Sequence, residues 1–123
     1  MKVLGLVRDL MFRSKVDAAC ESLGVEVGYV SALEVLARRC SELQPSVVIV
    51  DLSERAFAPA QTMAALRESA PGARVIGFAS HVDLKSLAGA RQSGFTQVLS
   101  RNEFAAQLPA LLKSARDGTQ PKK

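Results

Sequence analysis

No stretch of this chain approaches the ~18 consecutive apolar residues that a membrane helix requires. The apolar start at residues 3–7 is too short for a signal-peptide core, and no small-residue cleavage site follows it. A cytoplasmic location is therefore expected. Histidine occurs once and cysteine twice. That disfavours a protein-only zinc site, and without a Ser-centred elbow a hydrolase triad has nothing to stand on. Cys20 and Cys40 lie inside helical patterns, with neither metal-ligand spacing nor a CxxC, and read as buried, reduced thiols. Glycine is missing from Val7-Arg8-Asp9-Leu10, just after the first predicted strand, which removes the dinucleotide and P-loop readings. Adjacent basic pairs are confined to Arg38-Arg39 and Lys122-Lys123, and a single Tyr is available to stack on a base. The net charge of +4 thus reads as a solvated surface, not a nucleic-acid-binding stripe.

What is present is an alternation of two periods in a chain long enough to bury one core. Residues 47–50, Val-Val-Ile-Val, are too few for a helix and too continuous for a half-exposed strand. They fit a central parallel strand covered on both faces, and they end in Asp51. A first strand is predicted over residues 2–7 and a helix over 10–23, with Val16, Ala19, Cys20 and Leu23 on one face and Gly24 as its stop. Residues 25–30 alternate, as a strand nearer the edge does. Leu33, Leu36, Cys40 and Leu43 mark a second helix closed by Pro45. Pro59 suits the first turn of a third, with Met63, Ala64, Leu66 and Ala70 inward and Pro71-Gly72 as its breaker. A fourth strand over 74–79 precedes a helix carrying Leu84, Leu87, Ala88 and the stem of Arg91, ended by Gly94. His81 reads as a solvated residue early in that unit. A fifth strand over 95–99 leads to a helix with Phe104, Leu108, Leu111, Leu112 and Ala115 inward. Ser31, Ser80 and Ser100 are followed three residues later by Glu34, Asp83 and Glu103, and each pair reads as a capping box. Five strands alternating with five helices call for an α/β fold with a doubly wound parallel sheet and helices on both faces, spanning residues 1–116. The polar segment 117–123 is expected to be a flexible tail.

In open α/β sheets, ligands collect at the carboxyl ends of the strands. Arg8 and Asp9, Asp51, Ser80 and Arg101 all fall at predicted strand ends. In this arrangement the chain resembles, over essentially its full length, the receiver domains of two-component response regulators. Gln44-Pro-Ser-Val-Val-Ile-Val-Asp51-Leu carries the likeness at the third strand, and Ser93-Gly94 leading to Leu99-Ser100-Arg101 carries it at the fifth. The resemblance implies a flavodoxin-like three-layer sandwich with Asp51 as phosphoacceptor. An acidic pair would hold Mg²⁺, a hydroxyl would follow the fourth strand, and a cation would meet the phosphoryl oxygens after the fifth. It also implies protein partners, such as a histidine kinase or a signalling effector. A surface made by the fourth helix, fifth strand and fifth helix, residues 83–116, would carry contacts, homodimers included. Nucleic acid and membrane are not expected as partners, nor is conventional enzyme activity.

The chain departs from that pattern at several positions. Aligned without gaps to Gly24, the acidic pair falls on Val7 and Arg8, and only a one-residue shift brings in Asp9. The hydroxyl position falls on Ala79, with Ser80 one place late. Arg101-Asn102 replaces the Lys-Pro, and Val98 replaces an aromatic. Arg8 is expected to offer Asp51 a cation in place of the metal. The leading reading is a degenerate receiver kept as an interaction module, with phosphorylation weak or lost and no cofactor. The alternative is a functioning Mg-dependent phosphoacceptor, with Asp9 and Asp51 on the metal and Arg101 and Ser80 on the phosphoryl group. An unrelated flavodoxin-like enzyme or carrier stands third.

Overall fold

The structure, a computed structural model, describes residues 1–118. In chain order it runs β1 (Lys2–Leu6), α1 (Leu10–Ser22), β2 (Glu26–Tyr29), α2 (Leu36–Leu43), β3 (Val47–Asp51), α3 (Pro59–Ser69), β4 (Arg74–Ala79), α4 (Leu84–Ser93), β5 (Gln97–Ser100) and α5 (Arg101–Asp117). Single 3-10 turns at Leu33–Val35 and Arg55–Phe57 precede α2 and α3. The strands form one parallel sheet in the order β2-β1-β3-β4-β5.

β3 is the middle strand, and each of its residues is buried. Val48 and Val50 pack with Leu4, Leu6 and Val75 under α2, α3 and α4. Val47 and Ile49 pack with Ile76 and Phe78 under α1 and α5. Burial on both faces is why the sequence shows a run instead of an alternation. Each of these fully covered side chains contributes about 1.5–3 kcal/mol of gross apolar burial. β2, at one edge of the sheet, is less covered, with Glu26 exposed and Val27 and Tyr29 half-buried. Gly94 ends α4 at φ +93°, a left-handed conformation that a Cβ would strain. Gly77 is needed for room: a Cβ there would lie 2.8 Å from the Phe95 ring and 2.9 Å from Leu52.

Several expectations shift. Ser31 does not cap α2; its hydroxyl accepts from Arg13 Nη2 at 3.1 Å, and the chain makes a 3-10 turn before the helix begins at Leu36. Ser80 does not cap α4 either. Asp83 does, accepting from the Ser86 amide at 3.2 Å. The inward face of α4 is accordingly Leu87 and Ala90, while Ala88 is exposed and Leu84, at its first turn, is 71% exposed. On α3, Ala64 is exposed instead of inward, and Thr62 is buried beside Met63 and Leu66. The third capping box, Ser100 with Glu103, forms as expected. α5 carries through Pro109 and includes Asp117, one residue past the expected boundary, with Gly118 as its left-handed cap. Residues 119–123, the rest of the expected tail, lie outside the described residues.

Candidate functional site

In this strand order the chain leaves β1 toward β2 on one side and leaves β3 toward β4 on the other. A crevice therefore opens between the carboxyl ends of β1 and β3. Asp51 closes β3 at the floor of that crevice and is 3% exposed. The Leu52 amide still bonds to Phe78 O at 2.9 Å, so the backbone is held to β4 just beyond the carboxylate. Ser53 then turns back. Its amide donates to Asp51 Oδ1 at 3.0 Å, and its hydroxyl donates to the same oxygen at 2.6 Å. Aspartate side chains commonly bond to the backbone two residues on, which fixes the turn. The short hydroxyl contact is a charge-assisted bond on top of it.

Arg101 reaches the same hydroxyl from the opposite side, with Nη2 donating to Ser53 Oγ at 3.3 Å. Its position follows from the capping box. Glu103 Oε1 accepts from the Ser100 amide at 2.8 Å while Ser100 Oγ accepts from the Glu103 amide at 3.1 Å, which sets where α5 leaves β5. The Ser100 amide first, then its hydroxyl, hold the Glu103 carboxyl below its ordinary range. The Arg101 guanidinium also lies 5.7 Å from the Phe12 ring centroid. Phe12 stacks on Phe78 at 4.9 Å, and Phe78 stacks on Phe104 at 4.3 Å, so three rings support the pocket from the α1/α5 side. Arg101 Nε is sealed from solvent with no hydrogen-bond partner.

The other expected site residues are placed differently. Arg8 does not pair with Asp51. Its side chain is 54% exposed, and Nη1 lies 3.9 Å from Glu54 Oε2. The physical reason is local. Arg13 donates from Nε to the Val7 carbonyl at 2.5 Å and stacks over Tyr29 at 4.6 Å, pinning the loop that follows β1 while the Arg8 side chain faces Glu54 across the rim. Asp9 is exposed, and its Oδ1 caps α1, accepting from the Met11 and Phe12 amides at 2.8 and 3.2 Å. Ser80 accepts from the Val82 amide at 3.4 Å, within its own turn. The structure brings together Asp51, Ser53 and Arg101. Sequence reasoning missed Ser53, although the Asp-x-Ser spacing is a recognisable turn signal.

Mg²⁺, which the receiver resemblance implies, takes near-octahedral oxygen coordination with carboxylates among its ligands. Here Asp51 Oδ1 already accepts two bonds, and Asp9 Oδ1 serves a helix end. Val7, at the aligned place of the first acid, is a core side chain. Among the described residues no three of His, Cys, Asp and Glu gather into a group that could hold a metal ion. The donor set does not fit the ion.

No protein-family model and no curated protein matches the chain in sequence. Solved structures match it in shape. A response regulator from Thermotoga maritima aligns with a TM-score of 0.77 at 16% identity, over 94% of this chain and 97% of that one. The receiver domain of a Pseudomonas aeruginosa sensor histidine kinase, solved with a magnesium ion coordinated in its active-site cleft, aligns at 0.75 and 16%, over 91% and 93%. An orphan response regulator from H. pylori aligns at 0.75 and 12%, over 94% and 95%. At these identities the likeness establishes a shared fold: the chain has the receiver-type, flavodoxin-like architecture.

Proposed function

We propose that this chain is a receiver-like signal-transduction module that acts through protein–protein contacts, with phosphorylation of Asp51 weak or lost. One observation carries the reading. Asp51 is the only buried carboxylate among the described residues, and its partners are Ser53 and, through that hydroxyl, Arg101. Phosphoryl transfer depends on positioning and on neutralising the charge of the transferred group. Among the described residues no three acids, histidines or cysteines gather as a metal-binding group, and the Arg101 guanidinium reaches Asp51 through the Ser53 hydroxyl. A planar fork is also no direct replacement for a compact ammonium. The module would then signal by what it docks to. Val82 and Leu84, 74% and 71% exposed just before and at the start of α4, offer apolar surface there to an effector, a histidine kinase or a second copy, as do Leu10 and Met11, 74% and 73% exposed at the start of α1.

Amide NMR spectra recorded with Mg²⁺ and beryllofluoride test this. The expected result is no saturable shift around Asp51. Saturable shifts that vanish in Asp51→Asn refute it. They would favour the second reading, a phosphoacceptor modified by a histidine kinase, for which the support is that Asp51 Oδ2 accepts no bond among the described residues.

A further inference from the structure

We infer that Ser53 is a positioning residue that favours the unphosphorylated form of Asp51 and keeps Arg101 one hydroxyl away from it. This contact sets how little phosphoryl group Asp51 takes up. The inference rests on the reading of the chain as a receiver-like module with weak phosphoryl acceptance.

The chemistry follows from which oxygen is engaged. Both Ser53 donors are on Oδ1, so the attacking atom is Oδ2. With acetyl phosphate as donor, an Oδ2 lone pair forms the new O–P bond. The bridging P–O bond breaks, and its electron pair leaves with acetate. Asp51 passes from a carboxylate to a mixed anhydride, and Oδ1 becomes a neutral carbonyl oxygen. Hydrogen bonds to an ionised acceptor are about twice as strong as those to a neutral one. The two bonds from Ser53 therefore stabilise the unmodified side of the reaction more than the modified side. The 2.6 Å hydroxyl contact is the one a substitution can remove, because any residue at position 53 other than proline keeps the amide.

Arg101 adds a second effect in the same direction. Its Nη2 is spent on Ser53 Oγ, while its Nε has no partner. A hydroxyl between guanidinium and carboxylate satisfies both, and so holds the cation short of the oxygens that carry the incoming charge. Without that hydroxyl, Arg101 is free to meet the phosphoryl group directly.

The test incubates the wild type, Ser53→Ala and Ser53→Thr with acetyl phosphate and reads the phosphorylated fraction by intact-protein mass. Each is paired with its Asp51→Asn control, and folding is checked by thermal unfolding. Ser53 is exposed, so Ala is compatible with the fold, and Ser53→Gly provides a second hydroxyl-free variant. Expected are a rise of about five- to tenfold in Ser53→Ala and Ser53→Gly, wild-type levels in Ser53→Thr, and none in the Asp51→Asn partners. No rise in either hydroxyl-free variant, or an equal rise in Ser53→Thr, overturns the inference and leaves the weak-acceptance reading standing. Rapid, near-complete labelling of the wild type removes that reading itself, and the inference with it.

Discussion

Asp51→Asn removes one negative charge from a buried position and keeps the shape, so the sign of its effect on stability reports what surrounds the carboxylate. Where acids cluster, neutralising one relieves repulsion and stabilises the fold. Here Asp9 is committed to the α1 cap and Glu54 pairs with Arg8, so the groups facing Asp51 are donors. Asn Oδ1 can accept both Ser53 bonds, but as neutral ones. Each then weakens from about 1.5–3 to about 0.5–1.5 kcal/mol net. The relief of burying one charge fewer offsets part of this. A net loss of about 1–2 kcal/mol is expected, which for a chain of this length lowers the Tm by roughly 3–10 °C. Urea unfolding followed by circular dichroism at neutral pH measures it, with an unchanged m-value showing that the same surface unfolds. Stabilisation by about 1 kcal/mol or more would refute the reasoning, because it would mean that Asp51 sits among uncompensated acids.

Three further substitutions probe the frame around the site. Thr62 is fully buried and its hydroxyl has no partner, so Thr62→Val should stabilise the protein by about 1 kcal/mol in the same unfolding assay; a loss would contradict this. Pro109 lies on the exposed side of α5 and cannot donate to the Ala105 carbonyl. Pro109→Ala should raise stability by about 1–3 kcal/mol, and an unchanged midpoint would argue against an uninterrupted α5. Glu103 is held below its ordinary pKa of 4.5 in the fold, so its contribution is present above that value and lost as pH falls through the lower folded value. Wild type should therefore exceed Glu103→Gln in stability at neutral pH, and the gap should close on acidification below about pH 4.5. A gap independent of pH would contradict the capping role.

Most of the fold was legible in the sequence because its signals are local and agree with one another. The buried run 47–50 marks a strand covered on both faces, Gly24 and Gly94 mark helix ends, and the 3.6-residue face of α5 appears without competition. Capping boxes were less reliable because the motif requires a helix to start at once. Ser31 has the right neighbours, but its hydroxyl serves Arg13 and the chain takes a 3-10 turn first. Asp51 could be singled out because strand-end position is encoded locally. The direction of Arg8 could not, since the sequence does not say which carboxylate it meets, and in the fold that partner is Glu54 at 3.9 Å. Ser53 was hidden for a similar reason. An exposed serine two residues past a strand is ordinary until the side chain of Arg101, 48 residues later, is seen to end on it.

The most direct measurement of the electrostatic character of this crevice is a Mn²⁺ titration of the isotope-labelled wild type, followed through paramagnetic broadening of its amide signals. Weak, diffuse broadening on exposed acids, with the Asp51, Leu52 and Ser53 amides no more affected than the rest, is the expected outcome. Saturable loss of those three signals together with Asp9 at low metal concentration would place a divalent ion between the two aspartates and contradict the claim that the site has exchanged metal binding for a hydroxyl-bridged arginine.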